Sequence, residues 1–378
     1  MRFLFITGGS PACVFAVAPL ASAARNAGHE VFMAANEDLI PDVTGAGIPG
    51  ISMTPHPVKH FVWKDRAGNE LSVPWDRQGE LRHLGGAFGR MAADSLDVLL
   101  ELAGDWRPDI VVGGALSYAA PLLAAHLGVP SVRHAWDMTP TTDLDPGAAE
   151  ELAPELRRLG LDRVPEPDLF VDITPPSLRR ADAPDGLTMR WAPGSRQRRL
   201  ERWMYTRTDD RPRALVTAGS RPYIPAHVDL LPRLTRTLSA AGIEVLLAGP
   251  QELVESLGAG LDEVKAGWIP LEVAARTCDL MVHHGGGVTT MGALNVGIPQ
   301  LMLPKSNYQV ESTQPVAEFG AGLLLTRDQD TIEEIEKCCL ELLSNPSYAS
   351  RAGQLAAEIA TLPPPAEVVG TLENLVTP

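Results

Sequence analysis

Cysteine is scarce: Cys13, Cys278, Cys338 and Cys339 are the only four in 378 residues, and no two stand in a CxxC spacing. That excludes a disulfide-stapled miniprotein and a cysteine zinc site, and it reads as the reduced thiols of a cytoplasmic protein. Long apolar runs are missing as well. A membrane helix needs roughly 18 apolar residues, and the best stretch, starting at Ile110, is broken by Ser117, Pro121 and His126. The leading MRFLFITGGSP turns to glycine too soon to hold a secretory signal. Positive charge falls short too, with 32 Lys and Arg against 47 Asp and Glu, a net −15. An acidic field repels phosphodiester backbones, so nucleic acid and membrane are not expected partners, and an anionic ligand must be held locally. No short-period repeat occurs, which excludes solenoids and propellers.

What remains, 45% hydrophobic and 21% charged residues, is the composition of a large globule, longer than one core supports. Residues 2–7 form a β-rich run, Gly8-Gly9-Ser10-Pro11 breaks it, residues 14–27 repeat apolar positions at helical spacing, and residues 29–34 resume as a strand. This βαβ unit makes the first sheet parallel, with its ligand crevice at the carboxyl ends of the strands. A helix over 81–102, a strand over 109–113, a helix over 118–127 and a strand over 131–134 continue the alternation. Residues 55–80 and 137–168 are richer in Pro, Gly and Asp and read as binding loops or lids. Ten arginines against five acids between 179 and 213 mark a connection. Strands over 213–217, 244–248, 265–268, 280–283 and 300–303 then repeat the pattern.

The expected organisation is a first domain over 1–195, a linker over 196–212, a second domain over 213–360, and a final helix over 361–378 crossing back to the first. The fold class is α/β, two Rossmann-like doubly wound domains facing across a cleft that would hold the ligands.

The strongest motif is CDLMVHHGGGVTTMGALNVGIPQLMLP, residues 278–304. A buried strand delivers His283 and His284, three glycines allow close backbone approach, and Thr289 and Thr290 open a helix whose unpaired N–H groups suit a phosphate. His284 would neutralise charge on a departing diphosphate. The two histidines are adjacent, so on a strand they point to opposite faces and do not chelate one metal. No metal site and no resident cofactor is expected.

HHGGGVTT followed by GIPQLMLP resembles the donor signature of GT-B glycosyltransferases, in particular the actinobacterial natural-product enzymes that use nucleotide diphosphate sugars. The similarity extends through GSPACVFAVAPLASAARNAGHEV (9–31) and most of the carboxyl-terminal half. It implies that His284, Gly286, Gly287, Val288 and Thr289 contact the diphosphate, with Val288 standing where the common pattern has glycine. It further implies a phosphate contact from Ser220, base stacking on Trp268, base-edge contacts from the Ile269 backbone, and sugar contacts from Tyr308 and Gln309. Many relatives carry Asp-Gln where this chain has Tyr308-Gln309. Loss of that carboxylate suits a donor with fewer hydroxyls, hence a TDP-deoxysugar as co-substrate.

The family's O-transferases usually place a histidine base in the first helix-opening loop, where this chain has Cys13. Asp137 in VRHAWD, past the 131–134 strand, is the expected base, with Ser10 as a hydrogen-bonding partner. Alternatively Asp137 caps the turn at Thr139-Pro140. These departures, with SYAAPLLAAHLGVP and WMYTR (203–207), resemble the urdamycin-type C-glycosyltransferases that act on aromatic polyketides. An O-linkage through the same phenolate stays open. His56, His60, Phe61, Trp63, Trp75, Phe88 and Tyr118 are the candidate aromatic acceptor contacts, each also readable as packing. A nicotinamide oxidoreductase lacks support, since GGSPAC is not GxGxxG and VFMAAN ends without an acid. An epimerase of the same fold and a non-catalytic activator partner are the remaining alternatives. A homodimer is compatible with the sequence.

Overall fold

The computed structural model describes residues 1–181, 183–192, 194–207, 209–219, 225–250 and 264–376, with only the backbone course for 225–230. Contacts divide the chain into two units: Met1–Thr174 with Arg180–Gly194 and Leu362–Pro378, and Pro175–Arg179 with Ser195–Thr361.

The first unit holds a parallel sheet of β1 (Arg2–Ile6), β2 (Glu30–Asn36), β3 (Gly50–Thr54), β4 (Ile110–Gly114), β5 (Ser131–His134), β6 (Leu169–Asp172) and β7 (Leu187–Thr188). Its order is β3-β2-β1-β4-β5-β6-β7, so the winding reverses between β1 and β4 and opens a crevice at their carboxyl ends. Phe3, Leu4 and Phe5 in β1 are all 0% exposed, as a central strand covered on both faces requires. The second unit repeats the plan with β8 (Arg213–Thr217), β9 (Glu244–Ala248), β10 (Lys265–Gly267), β11 (Leu280–His283), β12 (Gln300–Met302) and β13 (Gly322–Leu324), ordered β10-β9-β8-β11-β12-β13. Two doubly wound parallel sheets are thus present, as expected. Among the described residues no helix is long and apolar enough to cross a membrane.

Several boundaries differ from the sequence expectation. The first helix, Pro11–Asn26, begins ahead of the apolar periodicity because Pro11 sits at its first position, where a missing N–H costs nothing. The segments expected as loops contain short helices, Val58–Trp63, Asp145–Glu151 and Ala153–Leu159, and the last two again carry proline in their first turn. The 196–212 stretch, expected as a linker, lies in the second unit. Its helix Arg202–Tyr205 buries Met204, and Arg207 grips Asp279 with two N–H···O bonds of 2.9 Å. Within the expected first domain, residues 175–179 also lie with the second unit, where the Ser177 N–H donates to Glu358 at 2.6 Å.

The chain's last helix, Pro365–Val376, lies in the first unit against Pro11–Asn26. His29 Nε2 meets Glu373 Oε1 at 2.7 Å, and the Arg190 N–H donates to the Pro363 carbonyl at 2.8 Å.

Candidate active site

In the second unit, β11 ends in two histidines with different fates. His283 is buried; its Nδ1 accepts the Gly285 N–H at 3.1 Å and its Nε2 donates to Gln300 Oε1 at 2.8 Å. Two partners fix one neutral tautomer, and burial pushes the imidazole down to about 4. His283 is therefore the brace of the turn. His284 is half-buried, and its ring lies against Gly219 and Gly286, where a Cβ would collide with it. Gly219, at φ +84°, turns the chain after β8, so the turns following β8 and β11 converge on one imidazole.

Helix Gly287–Val296 starts beside that ring. Its N-cap is Gly286, which has no side chain to satisfy the first-turn N–H groups of Gly287, Val288 and Thr289. Those groups and the positive end of the helix dipole form an anion cradle. Val288 replaces glycine without strain, because it sits inside the helix and no described non-glycine residue has positive φ. Thr290 turns inward, donating its hydroxyl to the Gly286 carbonyl at 3.1 Å.

The indole N–H of Trp268 donates to the Arg196 carbonyl at 3.1 Å, and the Arg196 guanidinium sits 5.2 Å from its ring centroid. The ring is half-buried and oriented by the segment expected as linker. The Ile269 side chain fills the core beside Ala274 and Met281. Tyr308 and Gln309 begin helix Asn307–Phe319, whose N-cap Ser306 accepts the Gln309 N–H while Gln309 Oε1 accepts the Lys305 N–H at 2.8 Å. This reciprocal capping holds Gln309 close to Gly285. Ser220 lies outside the described residues.

The first unit gathers a second group at the carboxyl ends of β1, β2 and β5. Ser10 is the N-cap of the first helix, with its Oγ 3.4 Å from Cys13 Sγ. Asn36, closing β2, accepts the Gly9 N–H at 3.3 Å and donates to the His56 carbonyl at 2.8 Å. A Cβ on Gly9 would strike Phe88, and Phe88 packs on Trp136 at 5.7 Å between centroids. Ser10, Phe88 and the Trp136-Asp137 loop are thereby neighbours in one crevice. Asp137 is 7% exposed, and its Oδ1 accepts the Thr139 N–H at 2.8 Å. The capping reading is thus realised; the same bond also fixes the orientation of the carboxylate.

His56 and His60 stack at 4.1 Å, with Phe61 edge-on to both. Burial, and then the neighbouring His56, lower the pKa of His60. Phe61 is held by its carbonyl, which accepts two N–H bonds from Arg90 at 3.0 and 2.8 Å. Trp63 and Trp75 are exposed, at 53% and 84%. Tyr118 lies elsewhere, donating to Asp145 Oδ1 at 2.8 Å beside Arg133. Asn36 and Arg133 escaped the sequence reading; for Asn36 a signal existed, a polar residue closing the apolar strand EVFMAAN. Among the described residues no group of three or more His, Cys, Asp or Glu is placed to hold a metal. Burial pushes the Cys278 and Cys339 thiols up to about 12.

Comparison with known proteins places this geometry. Residues 22–219 match the family described as "Erythromycin biosynthesis protein CIII-like, N-terminal domain" and residues 233–375 its C-terminal counterpart. The chain is 33% identical to the L-demethylnoviosyl transferase of Streptomyces niveus, over 97% of this chain and 96% of that one. Among solved structures it is similar to the glycosyltransferase SsfS6 of Streptomyces sp. SF2575 complexed with thymidine diphosphate, at 34% identity, TM-score 0.88 and 99% coverage of both chains. It is also similar to the spinosyn rhamnosyltransferase SpnG complexed with spinosyn aglycone, at 29% identity, TM-score 0.87, and coverage of 99% and 100%. The chain belongs to the erythromycin biosynthesis protein CIII-like family and is a glycosyltransferase of the GT-B fold.

Proposed function

We propose that this glycosyltransferase transfers a deoxysugar from a thymidine diphosphate donor to an aromatic polyketide in antibiotic biosynthesis, through a carbon ortho or para to a phenol. In this reading the second unit binds the donor and the first the acceptor. The observation that carries it is Asp137, a buried and oriented carboxylate just past β5, next to Trp136, which packs on Phe88, in a chain whose first helix-opening loop has Cys13 where the resembled O-transferases carry histidine.

Asp137 takes the phenolic proton, and electron density moves to the ring carbon. That carbon bonds to sugar C1 as the bond from C1 to the diphosphate oxygen breaks. The ring then loses its own proton and regains aromaticity. Charge developing on the diphosphate is met by His284 and by the N–H groups of Gly287, Val288 and Thr289. These supply the positive end without a metal ion, so turnover is expected to survive EDTA. Trp268 stacks the base, which is worth roughly 1 to 3 kcal/mol. Tyr308 and Gln309 face the sugar. The similar proteins crystallised with thymidine diphosphate and with an aglycone support both halves of the reading. The O-linked alternative uses the same deprotonation, with the phenolate oxygen as nucleophile.

The test has two parts. Thermal shifts with TDP, UDP and NAD⁺ at equal excess should single out TDP, since a ligand near 100 times its Kd stabilises by about 2.7 kcal/mol. A TDP-2,6-dideoxysugar and a polycyclic phenol should then yield a glycoside that resists acid hydrolysis. Release of the sugar by acid would establish the O-linkage, and a response to NAD⁺ alone would overturn the donor reading.

A further inference from the structure

The first unit holds a cavity of about 400 Å³ beside β4 and β5. Its floor is formed by Gly113, Gly114 and Val132, and its walls by the starts of the Ala119–Leu127 and Asp145–Glu151 helices and by residues 163–167. Neither Asp137 nor Ser10 lines it. The volume is within the range of sites that take small organic ligands.

Four prolines, Pro121, Pro146, Pro165 and Pro167, and the Tyr118 ring line it, offering flat apolar faces. Its charged lining residues are Arg133, Asp145, Arg163 and Glu166. Arg133 donates its Nε–H to the Ala115 carbonyl at 2.7 Å, reaches both Asp145 oxygens at 3.1 and 2.7 Å, and also bonds to the Tyr118 hydroxyl. Asp145 also accepts from the Tyr118 and Thr141 hydroxyls, so its charge is matched and its lone pairs are occupied. Ser117 is 6% exposed, and its hydroxyl has no hydrogen-bond partner within the described structure. A buried polar atom left without a partner is costly, which marks Ser117 as the place where a ligand completes the site.

We propose that this cavity is a second small-molecule site, taking a neutral, flat, one- or two-ring aromatic whose carbonyl or phenol oxygen meets Ser117 and Arg133. Two cationic and two anionic side chains line the cavity, Arg133 and Arg163 with Asp145 and Glu166, so it carries no net charge to attract an ion and charged ligands are disfavoured. Asp145 also begins the helix that follows the Asp137 loop.

The probe is coumarin, neutral and bicyclic with one carbonyl, titrated by calorimetry into the full chain saturated with TDP, with benzoate as the charged control. Coumarin should bind and benzoate should not. A crystal soaked with coumarin should place its carbonyl within hydrogen-bond distance of Ser117 or Arg133. Ala149→Trp, which fills the cavity from the Asp145–Glu151 helix, should weaken coumarin binding at least tenfold and leave TDP affinity unchanged. Coumarin found only elsewhere, or wild-type affinity in Ala149→Trp, would overturn the proposal; the soak decides the matter if that variant does not fold.

Discussion

The two units share a strand order and a glycine turn after the first strand, yet the turns do different work. In the first, Gly8 and Gly9 yield space to side chains: Asn36, Met91 and Phe88 press against them, and the groups that face the crevice come from four distant segments. In the second, Gly219 and Gly286 yield space to one imidazole, and the remaining groups are backbone N–H of consecutive residues. On the proposed function, one fold serves a variable partner through side chains and a constant one through main chain. A diphosphate is the same in every donor, so a cradle of amides suffices; acceptors differ, and only side chains can follow them.

Removing the defining group on each side sharpens this contrast. Asp137→Asn should lower kcat by about 10²- to 10⁴-fold, the usual worth of a general base, and leave the TDP Kd unchanged. Retained turnover would move the base to another group and dissolve the side-chain character of the first site. His284→Ala should cost on the order of 10²- to 10³-fold in kcat, with stability intact, and an unchanged rate in single-turnover assays would remove it from diphosphate departure.

Acid should treat both units alike. His134 and His283, one in each sheet, are fully buried, and burial holds each at about 4, below the ordinary 6.5. The unfolded chain therefore binds more protons between those values. Stability is full above pH 6.5 and falls as pH drops toward 4, by up to about 3 kcal/mol for each histidine. Denaturant titrations at pH 7 and pH 5 would reveal it; equal stabilities would contradict two neutral histidines. The smallest effect belongs to Trp268→Ala, roughly 5- to 150-fold in TDP affinity, read by calorimetry. Loss below twofold would leave the Arg196-oriented ring a packing group.

How much of this could be read beforehand follows the same divide. Strands β5, β8, β9 and β11 stand where the apolar runs put them, because central parallel strands are buried on both faces. β3, β6, β7 and β13 went unrecognised, being short or peripheral to their sheets, with partly exposed sequences such as GISMT and LT. The His284 turn was visible because its ingredients are contiguous. The Asn36–Gly9–His56 bonds and the Arg133–Asp145–Tyr118 group join residues 12 to 27 positions apart, and no local spacing announces them. The arginine-rich stretch misled for a related reason: its charges are spent on partners such as Asp279, 72 residues away.

The return of the final helix to the first unit has a practical consequence for recombining relatives. The first unit is not one continuous piece of gene: its closing contact, Glu373 on His29, joins residues 344 positions apart. A hybrid cut once near residue 195 would seat a foreign helix against Pro11–Asn26. If the first unit binds the acceptor as proposed, exchanging acceptor preference between family members calls for two crossovers, the second near Leu362, so that the helix travels with the unit it packs in.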